Sequence, residues 1–234
     1  MSLTHGRGVR HGPDLAAVAA LLGEPTRARI LTALMSGIAL TATELAIDAG
    51  VAPSTGSAHL AKLTDARVLR VARQGRHRYF RLFDDEIAGV VEALMGVAGD
   101  RGSTSRRTGP SDPALRIARV CYDHLAGERG VWLLAQLRAR GLLAGRDGCG
   151  ISAAGEQFFA GFGLDLDHIA QSRRVLARAC LDWSERRDHL GGALGAAIFA
   201  RLLDRGWAQR EAGGRVVTFT ANGARAFRRR FGAD

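Results

Sequence analysis

Thr43-Glu44-Leu45-Ala46-Ile47-Asp48-Ala49-Gly50-Val51, followed directly by Ala52-Pro53-Ser54-Thr55-Gly56-Ser57-Ala58-His59-Leu60-Ala61-Lys62-Leu63, reads as two brief helices with a glycine turn between them. Leu45 and Ala46 lie on an apolar helical face that stops at Gly50. Pro53 opens the second helix, and apolar periodicity resumes at Ala58, Leu60, Ala61 and Leu63. Two short helices about a tight turn form the geometry that lays the second helix in a DNA major groove. Leu69-Arg70-Val71-Ala72-Arg73-Gln74-Gly75-Arg76-His77-Arg78-Tyr79-Phe80-Arg81-Leu82 comes next and alternates apolar with basic residues about a Gln-Gly turn. That pattern predicts a hairpin with one face for the core and one for phosphate.

Working outward, Pro13 to Leu22 reads as an amphipathic helix with Leu15, Val18, Ala19, Leu21 and Leu22 on its apolar side. Thr26 to Met35 predicts another, with Ile30, Leu31 and Leu34 inward and Arg27 and Arg29 outward. Asp84 to Val97 predicts a last helix, with Asp84 as its N-cap. Its apolar positions Ile87, Val90, Val91, Leu94 and Val97 exceed what a lone small domain needs, which points to a face packed on a partner subunit. The expected fold is mainly α with small β-hairpins (α+β). A polar tail (1–12) precedes a winged helix-turn-helix domain (13–98), a flexible linker (99–112) and a C-terminal domain (113–234).

These motifs carry a family resemblance. Leu21-Leu22-Gly23-Glu24-Pro25-Thr26-Arg27-Ala28-Arg29-Ile30-Leu31 resembles the "D-P-T-R-x-x-I-L" opening of ArsR/SmtB-type repressors. Residues 54–63 resemble their "S-x-x-S-x-H-L-x-x-L" recognition helix, and 74–82 their "R-x-G-x-x-x-x-Y-x-L" wing. The resemblance covers residues 13–98 and implies a homodimer on a palindromic double-stranded DNA operator, acting as a repressor released by an effector. Metal-sensing members carry "E-L-C-x-C", whereas this chain has Glu44-Leu45-Ala46-Ile47-Asp48, and residues 84–98 contain no His. The family's usual metal sites are therefore absent.

Within this frame, Ser54, Thr55, Ser57, His59 and Lys62 are the expected groove contacts, since short hydroxyls near a helix N-terminus reach phosphates and base edges. Arg73, Arg76, His77 and Arg78 are the expected wing contacts to phosphate or the minor groove. Simple helix caps and a solvated charged hairpin are the competing readings.

The second domain contains an internal repeat. Asp123-His124-Leu125 recurs as Asp188-His189-Leu190, and Arg140-Gly141 as Arg205-Gly206, both at an offset of 65. Ile151-Ser152-Ala153-Ala154-Gly155 matches Phe219-Thr220-Ala221-Asn222-Gly223 at 68, and Arg119–Asp123 echoes Arg178–Asp182 at 59. Two winged-helix-like copies, at about 114–166 and 173–232, are expected to pack as a pseudo-dimer, each with a helix capped by Ser152 or Thr220. Cys121 with His124, and Cys180 with Asp182 and His189, fall at related places in the copies. A pseudo-symmetric cluster would suit a soft metal ion or a thiol pair acting as a sensor. The reading given precedence is that the cysteines are small buried apolar residues, so neither a metal nor a cofactor is expected. These residues and Trp183 are kept as candidates for an effector site. Trp132, Trp207 and Tyr122 are read as core, with a pocket for a small organic effector as the alternative.

Composition narrows the function classes. The net charge of +10 suits a polyanionic partner, but residues 1–98 carry 11 basic against 9 acidic residues, so the cluster of arginines at 67–81 is the better sign of DNA binding. Arg225, Arg228, Arg229 and Arg230 favour the alternative of a non-specific architectural DNA-binding protein. The absence of a long apolar run, of a signal-like N-terminus and of a disulfide-like cysteine pattern leads to the expectation of a cytoplasmic protein with no membrane partner. No nucleophile stands with a base and orienter, and no phosphate-cradling glycine loop occurs, so an enzyme is not expected.

Overall fold

The computed structural model describes residues 14–74, 77–101, 110, 112–145, 148–172 and 174–232. The expected tail at 1–12, most of the expected linker (102–109 and 111) and Arg76 lie outside the described residues. The chain divides into two compact units. One runs up to Ala33 and includes Leu40–Phe80, and the other comprises Leu34–Ala39 and everything from Arg81 onward.

In the first unit, α1 (Leu15–Leu22) starts at Asp14, whose carboxylate accepts the Ala17 N–H at 3.0 Å. α2 (Pro25–Leu34) starts on Glu24, which accepts the N–H groups of Thr26 and Arg27 at 3.1 and 2.9 Å. A two-residue strand, β1 (Leu40–Thr41), leads into α3 (Ala42–Ala49). Thr41 and Glu44 form a reciprocal capping box there, and Gly50 ends the helix in the left-handed conformation at φ 68°. α4 (Pro53–Asp65) has Pro53 in its first turn, where a missing N–H costs nothing. Strands β2 (Leu69–Gln74) and β3 (His77–Leu82) make the wing, and β1 pairs with β3, placing Leu40 opposite Phe80. α3 and α4 cross so closely that a Cβ on Gly56 would meet the Ala46 Cβ at 2.9 Å. Ile30, Leu31, Leu45, Ala46, Leu60, Leu63, Leu69 and Phe80 are buried.

Three details differ from the sequence reading. Arg27 is buried rather than outward, because its guanidinium binds the carbonyls of Leu21 and Ala20 that α1 leaves unpaired at its end. Ala58 and Ala61 are exposed, and Gly56 takes the packing role beside Leu60 and Leu63. Leu15 and Val18 of α1 are 77% and 50% exposed, so the apolar side of that helix is uncovered in the single chain.

In the second unit, α5 (Asp85–Arg101) is capped by Asp84, which accepts the Ile87 N–H at 2.9 Å. The helix continues through 99–101, where the linker was expected to begin. By contacts α5 groups with this unit, although the sequence reading placed 84–98 in the first domain. A short helix α6 (Pro113–Ile117) follows. The first copy then contains β4 (Arg119–Cys121), β5 (His124–Ala126), α7 (Glu128–Ala139), β6 (Leu143–Ala144), β7 (Gly150–Ile151) and α8 (Ala153–Phe162), with a short α9 (Leu166–Ala170) behind it. The second contains β8 (Arg178–Asp182), β9 (Arg187–Gly191), α10 (Gly192–Asp204), β10 (Ala208–Arg210), β11 (Val217–Phe219) and α11 (Ala221–Phe231). Each copy is thus hairpin, helix, hairpin, helix, with a leading hairpin added ahead of the helix, strand pair and capped helix that the sequence pattern predicts.

The copies match in detail. Ser152 and Thr220 cap α8 and α11, each accepting a glycine N–H (Gly155, Gly223) at 3.0 Å. Gly127 and Gly192 both have φ near +80°, at 78° and 80°. Packing is reciprocal, with β5 against α10 and β9 against α7. One core results, drawing Leu125, Leu134, Leu137, Phe159 and Phe162 from one copy and Leu190, Leu194, Ile198, Phe227 and Phe231 from the other. Arg140, Arg205 and Arg230 lay their guanidinium groups over Phe158 or Phe162 at 4.7, 4.9 and 4.0 Å, so part of this domain's excess charge is structural.

A buried ion pair ties the leading hairpins together. Arg119 of β4 donates to Asp182 of β8 at 2.7 Å, and both side chains are essentially inaccessible. Asp182 also accepts the Gly127 N–H at 2.7 Å and the Ser184 hydroxyl at 2.7 Å. Burial penalises its charge, but Arg119, His189 and Ser184 outweigh that and hold its carboxyl far below the usual carboxylate range.

Two outcomes test this packing. Asp182→Ala leaves Arg119 buried without its counter-charge and is expected to lower unfolding free energy by about 3–5 kcal/mol in a urea titration. Gly195→Ala would drive a Cβ to 2.3 Å from the Leu190 carbonyl oxygen. It is expected to cost about 1–3 kcal/mol, and an unchanged midpoint would contradict the close approach.

Candidate nucleic-acid interface and a buried side-chain cluster

At 100° per residue, the exposed positions of α4 gather on one face. Ser54, Thr55, Ser57, Ala58, Ala61, Lys62 and Asp65 are all exposed, opposite the buried Gly56, Leu60 and Leu63. Four of the expected groove contacts therefore share this face. His59 sits at its edge and turns inward, with Nδ1 3.3 Å from Glu24 and 3.4 Å from the Arg27 guanidinium. Only 16% of its side chain is exposed, so His59 ties the start of α2 to α4.

The wing comes close to the same helix. Beyond Leu69 every β2 residue is exposed, including Arg73, and β3 exposes His77, Arg78 and Arg81 while burying Phe80 and Leu82. Ser57, Ala61 and Asp65 of α4 share a shallow recess of about 220 Å³ with Arg73 and Arg78 of the wing. Hydroxyl and guanidinium donors from two elements thus border one surface depression.

On α5, Val90, Leu94 and Val97 are 45%, 49% and 51% exposed. Spaced four and three residues apart, they form a stripe along one side of the helix. Ala88 and Val91 are buried instead.

The candidate effector residues separate into two groups. Cys121 and His124 are directly opposed across β4–β5, and Cys180 and His189 across β8–β9. Opposed residues of an antiparallel pair share a face, so each hairpin presents one thiol and one imidazole together. The two hairpins face each other, and the four ligand-type atoms all lie within 4.8 Å of one another, every residue buried. His124 Nδ1 is 3.2 Å from Asp123, and His189 Nδ1 is 3.5 Å from Asp182. Burial opposes a charge on His124, but the hydrogen bonds to Asp123 and Cys180 outweigh it and push its pKa up to about 9. Hydrogen bonding between the thiols holds Cys180 well below the usual thiol range, while the same bond and burial push Cys121 up.

Trp183 stands outside this cluster, in the β8–β9 turn with the Arg119 guanidinium 5.2 Å from its ring centre. Trp132 packs on Phe227 and Trp207 near Phe162, in the core as expected. Cys149 is a separate buried cysteine. The leading hairpins escaped the sequence reading because their strands are short and the Asp-His pairs resemble helix turns. The surviving signal was the recurrence of Cys followed by His in both copies.

No helix among the described residues is long and apolar enough to cross a membrane. A family model described as "Helix-turn-helix domain" matches residues 22–72. The chain is 39% identical over 216 residues to the uncharacterized HTH-type transcriptional regulator YdfF of Bacillus subtilis (strain 168), covering 92% of this chain and 96% of that protein. Among solved structures it is similar to NolR from Sinorhizobium fredii, at 25% identity over 36% of this chain and 83% of that one, with a TM-score of 0.33. It is also similar to the homodimeric winged helix-turn-helix DNA-binding domain of a possible ArsR-family regulator from Mycobacterium bovis, at 20% identity over 43% of this chain and all of that one, with a TM-score of 0.35. At such scores these two likenesses add nothing to the assignment, which rests on the full-length relative and on the motifs. The chain belongs to the HTH-type transcriptional regulators and is a DNA-binding transcriptional regulator.

Proposed function

We propose that the protein is a homodimeric, sequence-specific repressor that seats α4 in the major groove of a palindromic operator and is released by an effector acting on its C-terminal unit. The observation that carries this reading is the exposed face of α4, with Ser57 beside the wing cations Arg73 and Arg78 around one recess. Ser54, Thr55, Ser57 and Lys62 meet base edges and nearby phosphates, and Arg73, His77 and Arg78, with Arg76, meet the backbone or minor groove. The exposed stripe of Val90, Leu94 and Val97 on α5 supplies the apolar surface on which a second copy packs. The effector does not act through the family's usual metal positions, whose ligands this chain lacks.

An architectural, non-specific role is the second reading, favoured by Arg225, Arg228 and Arg229 exposed on α11. The two differ in the affinity ratio between one operator and bulk DNA. Specific recognition predicts a ratio of roughly 10³ or more, and an architectural role a ratio near one.

Two substitutions separate phosphate contact from base readout. Arg78→Ala is expected to weaken binding to all sequences alike and to reduce the salt slope by about 1. An unaltered slope would remove Arg78 from the backbone contacts. Ser57→Ala is expected to shift the preferred operator in a randomised-site selection while the slope stays near the parent's, and an unchanged preference would remove Ser57 from base readout.

A further inference from the structure

We propose that Cys121, His124, Cys180 and His189 form a closed, four-coordinate site for a thiolate- and imidazole-preferring divalent cation of the zinc class, one per chain. The site goes beyond the DNA-binding reading and does not depend on it.

Three observations on geometry carry it. First, the four ligand atoms already lie within 4.8 Å of one another, in residues that are 0–9% exposed. Two thiolates and two imidazoles are a recurrent tetrahedral zinc set, with bonds near 2.3 Å to sulfur and 2.0–2.1 Å to nitrogen. Such bonds place two nitrogen ligands roughly 3.3 Å apart. Here His124 Nε2 and His189 Nε2 are 3.1 Å apart.

Second, both imidazoles have a carboxylate on the opposite side. Asp123 lies by Nδ1 of His124 and Asp182 by Nδ1 of His189. Asp123 accepts a hydrogen bond from Nδ1 of His124, and Asp182 lies 3.5 Å from Nδ1 of His189 without a hydrogen bond. Outer-sphere carboxylates on that side orient metal-bound histidines. The two Nε2 atoms are at hydrogen-bond distance from each other, and a cation between them takes the place of the proton they share. Two thiolates balance the charge of a divalent ion, so the buried centre is electrically neutral.

Third, the backbone is shaped around the cluster. Gly130 of α7 and Gly195 of α10, matched at the repeat offset, let His189 and His124 approach so closely that a Cβ at either glycine would lie 3.3 Å from the histidine Cβ. All four ligands come from protein, which leaves no open position for substrate and marks a structural or sensing site rather than a catalytic one.

The test uses the full-length protein without DNA, so its outcome is independent of whether an operator is found. Elemental analysis after expression in zinc-supplemented medium is expected to give close to one zinc per chain. Cobalt added to chelator-stripped protein is expected to produce the intense ligand-field bands of a tetrahedral ion and thiolate-to-cobalt charge transfer, both bleached by equimolar zinc. Cys149→Ala should keep these signals and Cys180→Ser should lose them. Should Cys180→Ser fail to fold, Asp123→Ala decides. It removes no ligand and is expected to weaken cobalt affinity by roughly 10–100-fold. Metal-free protein with no tetrahedral cobalt spectrum would overturn the site, as would a Cys121–Cys180 disulfide in freshly purified protein, or signals that follow Cys149 instead.

Discussion

Asp182 holds a carboxylate where water cannot reach it, and the architecture of the C-terminal unit follows from how that charge is met. Its donors come from both copies of the repeat: Arg119 on β4, the Gly127 N–H at the start of α7, and Ser184 in its own turn. A buried ion pair is weak evidence of stability as such, because desolvation offsets most of the attraction. Its effect here is on position. With Arg119 and Gly127 both required at one carboxylate, β4, α7 and β8 have little freedom to slide past one another. That constraint sets Cys121 and His124 opposite Cys180 and His189.

The same region connects to α5, the helix whose exposed valine and leucine stripe is assigned to the dimer. Arg174 pairs with Asp85 in the first turn of α5 and donates to Asp123 at 2.7 Å. Asp123 in turn faces His124. Glu92, farther along α5, is buried, and its charge adds to the rise in the Cys121 pKa. The four-residue cluster is thus linked by charge to α5, the helix proposed above to carry the dimer contact. A ligand that acts there must bind two arrangements of this helix unequally in order to act on DNA affinity.

How much of this was legible in the sequence depended on how local the determining physics is. The helix-turn-helix was readable because Gly50, Pro53 and the apolar spacing of Leu45, Leu60 and Leu63 act within a few residues. Ser152 and Thr220 were readable as caps for the same reason. Arg27 was misread because its partners are carbonyls left unpaired at the end of another helix, which periodicity does not reveal. The leading hairpins were missed because β4 and β5 have three residues each, too few to show alternation. Cys121 pairs with His124 three residues on, whereas Cys180 pairs with His189 nine residues on, so the shared register was hidden by unequal turns. The convergence of the four residues is non-local altogether. It depends on the reciprocal placement of β5 on α10 and β9 on α7, which no window of sequence contains. Trp183, a candidate for an effector pocket by its aromatic character alone, instead has its ring under Arg119.

Sequence-specific recognition by a dimer can be checked with a binding selection on fragmented DNA from the source organism. The expected result is recovery of one inverted repeat whose half-sites lie about one helical turn apart, as two α4 helices related by a twofold axis require. Enrichment without any shared motif would contradict it, and would move the DNA contact from α4 to the arginine face of α11.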